Sequence, residues 1–166
     1  MWGGKEETKM PEPSVIHNTF VLERSYPKPP ERVFAAFSNP AVKRRWFGGS
    51  DSHEIAEFES DFRVGGAERL SFPLGNQTPF PGVLLTNEVR YQDIVPNQRI
   101  VTASTMDIGG KRVSSSLITF EFLPTDKGTD LICTHQGAFF EGSGGPKIRE
   151  DGWRKLLDSL AAELER

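Results

Sequence analysis

One cysteine, Cys133, in a chain of 166 residues leaves no partner for an intrachain disulfide. A reducing compartment fits that usage. No basic residue stands beside Cys133 in sequence, so nothing there lowers its pKa to make a reactive thiol. Histidine is also scarce. The three residues, His17, His53 and His135, lack metal-ligand spacing and complete no zinc motif with the lone cysteine. No metal and no cofactor are expected. The chain has no G-x-S-x-G, no P-loop and no G-x-G-x-x-G. The pairs Gly65-Gly66, Gly109-Gly110 and Gly144-Gly145 read as turns and not as phosphate cradles. There is no basic excess: the formal net charge is −3, which argues against nucleic acid as a partner. No run approaches the ~18 apolar residues of a membrane span. The opening, MWGGKEETKMPEPS, lacks the apolar core of a signal peptide. A soluble, cytoplasmic protein is expected.

What remains is ample for one core. Apolar residues are 36% and charged residues 26%, a globular balance. A chain of this length buries roughly two-thirds of its unfolded surface. Phenylalanine is abundant at 12 and falls mostly in strand-like segments, so the core is aromatic-rich. Residues 1–13 are polar, with Gly3, Gly4, Pro11 and Pro13, and read as a flexible tail. Residues 14–166 read as a single domain.

The last stretch, Pro146 to Glu165, organises the rest. Trp153, Leu156, Leu157, Leu160, Ala161 and Leu164 fall at i, i+3, i+4, i+7, i+8 and i+11, one helical stripe. Pro146 suits the first helical position, because its missing N–H would be unpaired there. Glu150–Arg154 and Asp151–Lys155 are favourable i,i+4 pairs. Gly152 is costly mid-helix and reads either as close packing on a strand or as space over a cavity. A rod of roughly 30 Å with one apolar face needs a broad apolar surface.

The middle of the chain supplies it. Val15 to Tyr26 alternates as a strand and is stopped by Pro27, Pro29 and Pro30. A short helix follows from Pro30, with Val33, Phe34 and Phe37 on one side. Asn39 then caps a second short helix that starts at Pro40, runs through Trp46 and ends at Gly48-Gly49-Ser50-Asp51. Its charged run, AVKRRW, reads as a solvated face. About six strands follow in meander, separated by turns such as Val95-Pro96-Asn97-Gln98 and Gly109-Gly110. Short connections pair consecutive strands antiparallel. The class is α+β. A curved sheet of about six to seven strands, gripping a long helix, leaves a gap suited to a ligand.

That order, with four stretches, resembles a known family. They are ERSYPKPPERVFAAFSNPAVKRRWFG (from Glu23), FRVGGAERLSF (from Phe62), YQDIVPNQRIV (from Tyr91) and GTDLICTHQGAF with the later REDGWRKLLDSLAAELE. They are similar to the START-like helix-grip superfamily (SRPBCC, birch-pollen-allergen type). Within it they resemble the family related to the C-terminal domain of the activator of heat-shock protein 90 ATPase. The resemblance spans roughly residues 15–165. It implies the helix-grip fold and a small hydrophobic ligand, lipid or polyketide-like, as the partner. It also implies two rivals: a cyclase- or hydrolase-like enzyme using the same cavity, with His135 or Tyr91 as acid or base, and a chaperone partner. The chain has no room for the activator's N-terminal domain, which ranks the chaperone partner last. The oligomeric state is left open, a homodimer included.

Cavity candidates follow from the faces. His135 and Cys133 share one strand face, with His135 more often structural than ligand-bound. Asn87 and Tyr91 share another, and a tyrosine hydroxyl can orient a polar group. Ser114 and Ser116 interrupt an apolar face that continues to Phe120, and so leave volume and hydrogen-bonding capacity. Trp153, Leu156 and Leu157 face the sheet from the helix. Trp46 reads either as an entrance gate or as a cap on the core. No residue is assigned as catalytic.

Overall fold

Residues that alternate apolar and polar can bury one face only if a second layer covers it, and here the terminal helix does so. The computed structural model describes residues 14–48 and 54–166. The expected tail at 1–13, the end of the second helix at 49–51 and His53 lie outside the described residues.

The elements run β1 (Ile16–Tyr26), α1 (Pro30–Ser38), α2 (Pro40–Lys43) and a π-helical turn (Arg44–Gly48). Then follow β2 (Glu57–Ser60), β3 (Ala67–Pro73), β4 (Leu84–Val95), β5 (Arg99–Ile108), β6 (Lys111–Thr125), β7 (Gly128–Phe139) and α3 (Pro146–Leu164). All strands join one antiparallel sheet in the order β1-β7-β6-β5-β4-β3-β2. The first two strands therefore form opposite edges. The short helices carry the chain between those edges, and α1 packs on β6, β7 and α3. This is the expected α+β helix-grip architecture.

Turn chemistry holds the meander in register. Gly109 and Gly110 both adopt positive φ, 60° and 81°, as a two-residue I′-type hairpin between β5 and β6 requires. Asn97 takes φ 64° after Pro96 in the β4–β5 turn. Asn39 caps α2 by accepting from the N–H groups of Ala41 and Val42 at 3.0 and 3.4 Å. Two register shifts matter. One falls between Tyr91 and Asp93, the other beside Met106, where Val113 and Ser114 become consecutive buried residues of β6.

The concave face divides into two halves. One is a dense aromatic core built from Phe34, Phe37, Trp46, Phe120, Phe122 and Trp153, closed by Leu157, Leu160 and Leu164. The other, toward the start of α3, holds the buried polar side chains of Ser104, Ser114, Ser116 and His135. Several expectations change here. The AVKRRW run is a solvated face only in part: Arg44 and Arg45 are exposed, but Lys43 is 6% exposed and Trp46 2%. Periodicity brings Lys43 inward with Phe47, four residues on. Gly152 neither packs on a strand nor opens a cavity, because it is exposed with nothing within 4 Å of an added Cβ. Asp151 pairs with Lys147 at 3.0 Å, while Glu150 approaches Arg154 at 3.7 Å as expected.

Candidate functional site

Strand register lines up the polar half of the interior. His135 on β7 stands opposite Phe20 on β1 and Ile118 on β6. The next row on this face is Gly137, Ser116 and Ser104, with the exposed Asn18 at its β1 end, and the one after it Phe139, Ser114, Met106 and Asn87. The first turn of α3 lies over these rows and brings Arg149 down onto them. Arg149 Nη2 donates to Ser114 Oγ at 2.6 Å and approaches Met106 Sδ at 3.2 Å. Its guanidinium lies 5.3 Å from the centre of the Phe139 ring.

This cluster is not satisfied internally. His135 is fully buried and stacked on Phe20, ring centres 4.6 Å apart and planes within 7°. Phe139 stacks more loosely on it at 5.9 Å. Neither ring nitrogen of His135 has a hydrogen-bond partner among the described residues, and neither does Ser116 Oγ. Buried polar groups without partners are uncommon and costly. Burial, with the neighbouring Arg149 charge, pulls the His135 pKa down to about 4. Burial also lowers the Arg149 pKa to about 10, and among the described residues no carboxylate pairs with it. A guanidinium in the first turn also opposes the helix macrodipole, and that turn carries no acidic residue.

A second cluster lies nearer the β2 edge. Lys43 Nζ donates to Glu68 Oε1 and Oε2 at 2.9 and 2.8 Å. Tyr91 Oη donates to Glu68 Oε1 at 2.7 Å and lies 3.3 Å from Ser60 Oγ. Burial alone would lower the Lys43 pKa, but the Glu68 carboxylate and Tyr91 hydroxyl outweigh it and hold the ammonium above its ordinary value. Burial holds the Tyr91 phenol above its usual range too. Every member has a partner, so this cluster pins α2 to the sheet and has no unmet valence to offer a ligand.

The sequence-selected residues thus separate. Ser114, Ser116 and His135 come together, with Asn87 half-buried beside Met106 in the same row. Tyr91 belongs to the Lys43–Glu68 cluster. Trp46 is a core residue and not an entrance: its Nε1 donates to the Ala36 carbonyl at 2.8 Å and its ring meets Phe37 edge-on. Phe120 and Trp153 pack on each other at 5.5 Å. Cys133 is fully buried, and burial pushes its thiol up to about 12, so it is inert. Leu156 is half-buried at the core margin, and Leu157 is fully buried, its carbonyl accepting from Tyr26 Oη at 2.9 Å.

Two hollows lie elsewhere. One of about 240 Å³ runs between the end of β1 and α3, lined by Tyr26, Leu157 and Ala161 among others. The other, about 460 Å³, sits by the β6–β7 turn. The first is smaller than the roughly 300–1,000 Å³ of small-molecule sites. Of the residues selected from sequence, only Leu157 lines either.

Sequence reasoning missed Arg149, Met106, Lys43 and Glu68, though Arg149 and Glu68 had a signal. Arg149 is one turn before Trp153, on the same helical face. Glu68 precedes Leu70 and Phe72 at strand period, and so faces inward with them.

Comparison with known proteins follows the same outline. Residues 27–165 match the family described as Activator of Hsp90 ATPase homolog 1-like protein. The Mll3558 protein of Rhizobium loti is 49% identical, with a TM-score of 0.81, over 90% of this chain and 99% of that one. A protein of Rhizobium leguminosarum is 37% identical, with a TM-score of 0.86, over 92% and 97%. The AHSA1-like protein of Aeromonas hydrophila, at 19% identity and a TM-score of 0.66 over 89% and 92%, shares the fold. No curated protein matches.

Proposed function

Because the chain belongs to the Activator of Hsp90 ATPase homolog 1-like family, a helix-grip fold, we propose that it binds a small amphiphilic molecule between the sheet and the first turns of α3. One observation carries this reading. His135 Nδ1 and Nε2 and Ser116 Oγ are buried without partners beside a guanidinium whose own partners are neutral. A protein that needed only stability would fill such a site with apolar groups or pair its charge. The rings of Phe20 and Phe139 supply apolar wall for the ligand's body, and Met106 supplies a flexible one.

Native mass spectrometry of the protein purified from cells, followed by solvent extraction and titration with anilinonaphthalene sulfonate, tests this. A retained amphiphile, or saturable fluorescence that Ser116→Leu abolishes, is expected. A clean unliganded mass together with no saturable fluorescence would end the proposal.

The family's name carries a second reading, stimulation of a chaperone ATPase. The rate of purified chaperone with an excess of this protein decides it, and an unchanged rate removes it.

A further inference from the structure

The polar groups around His135 have a definite sign. Arg149 offers five N–H donors on one planar fork, and one nitrogen, Nη2, makes both of its side-chain contacts, to Ser114 Oγ and Met106 Sδ. Ser114 Oγ accepts from Arg149 and so has its own hydrogen to give. Ser116 Oγ is a further hydroxyl without a partner, and neutral His135 carries one N–H and one bare nitrogen. Donors are therefore in clear surplus. The acceptors are fewer: the two serine oxygens, one imidazole nitrogen and a thioether, a weak one. Charge tells the same story. Arg149 is the single cation of the cluster, since burial keeps His135 neutral at pH 7. Among the described residues no carboxylate answers it.

We propose that the ligand of this site is a monocarboxylate with an apolar body, its carboxylate taken by Arg149 with Ser116 and His135 as further donors. This rests on the binding reading above and names its chemical class. A carboxylate presents two in-plane oxygens that match the guanidinium fork. A phosphate dianion would bring a second negative charge that one cation does not answer. The stacked rings of Phe20, His135 and Phe139 lie beside the guanidinium, so the carbon chain or ring of the acid continues along them. Fatty acids and aryl acids share this chemistry.

Calorimetric titration of the full chain with decanoate, 2-naphthoate and the two corresponding primary amides separates the outcomes. The expected result is at least tenfold tighter binding of one acid than of its amide. Which acid binds distinguishes a chain from a ring. Arg149→Gln should then remove that preference by weakening the acid at least tenfold and the amide less, with Arg149→Lys intermediate. If Arg149→Gln does not fold, Ser116→Ala carries the test, and should weaken the acid at least threefold and the amide less. Equal binding of acid and amide, or an acid preference that these variants leave undiminished, overturns the carboxylate assignment but leaves the binding reading standing. No binding of any of the four overturns the carboxylate assignment, and the retained-ligand and dye measurements then decide the binding reading by themselves.

Discussion

Lys43 and Glu68 form a buried ion pair that joins the second short helix to β3, the ammonium within 2.9 Å of both carboxylate oxygens. Both side chains are almost wholly sequestered, 8% and 1% exposed. Desolvating two charges is costly, and their mutual attraction, with the hydrogen bond from the Tyr91 hydroxyl to Glu68, offsets it. Removing one partner leaves the other uncompensated. Lys43→Met should destabilise the fold by about 3–5 kcal/mol. Lys43→Met combined with Glu68→Leu should recover a large part of that loss. Urea unfolding midpoints of the two variants check this, and a double variant no better than the single one would contradict it.

His135 makes stability fall in acid. Its pKa is about 4 in the folded protein, below the 6.5 of an ordinary histidine. Above pH 6.5 both states are neutral there and the site imposes no pH dependence. Between 6.5 and 4 the unfolded chain binds a proton that the folded chain refuses, so stability declines as pH falls. At about 1.4 kcal/mol per unit the full loss is about 3 kcal/mol. His135→Leu should flatten the dependence over that window. Unfolding curves at pH 7 and pH 5 for both proteins read it directly.

Trp46 tests the difference between core and entrance. Ala36 lies four residues before Pro40, which has no N–H to give its carbonyl. Trp46 Nε1 takes that place at 2.8 Å. Trp46→Phe keeps the ring contact with Phe37 but strands a buried acceptor, at a cost of about 1–3 kcal/mol. Thermal unfolding measures the loss. Ligand association rates should be unchanged, which a gating residue would not permit.

Gly152 is a position to improve. It is exposed on α3, with open space around an added Cβ. Gly152→Ala should stabilise by about 0.5–1 kcal/mol, through lower entropy of the unfolded chain. A raised denaturation midpoint with unaltered ligand binding is the expected result.

Periodicity made much of this protein legible. The stripe Trp153-Leu157-Leu160-Leu164, the alternation of β6 and β7, the Asn39 cap and the Gly109-Gly110 hairpin are local properties, written in neighbouring residues. They determine the order of elements and which face each buries, and so the helix-grip architecture. They also place Ser114, Ser116 and His135 on inward faces. Partners were another matter. Arg149 meets Ser114 from 35 residues away and Lys43 meets Glu68 from 25 away. A helical or strand period says which way a side chain points but not what stands opposite, because that depends on sheet register, the bulges beside Met106 and Tyr91, and the axial position of α3. Only the tertiary structure decided that AVKRRW contains a buried cation, and that Trp46 and Cys133 are core. It also gathered the unpartnered groups of the interior around Arg149, since burial is a property of the packed layers and not of any one segment.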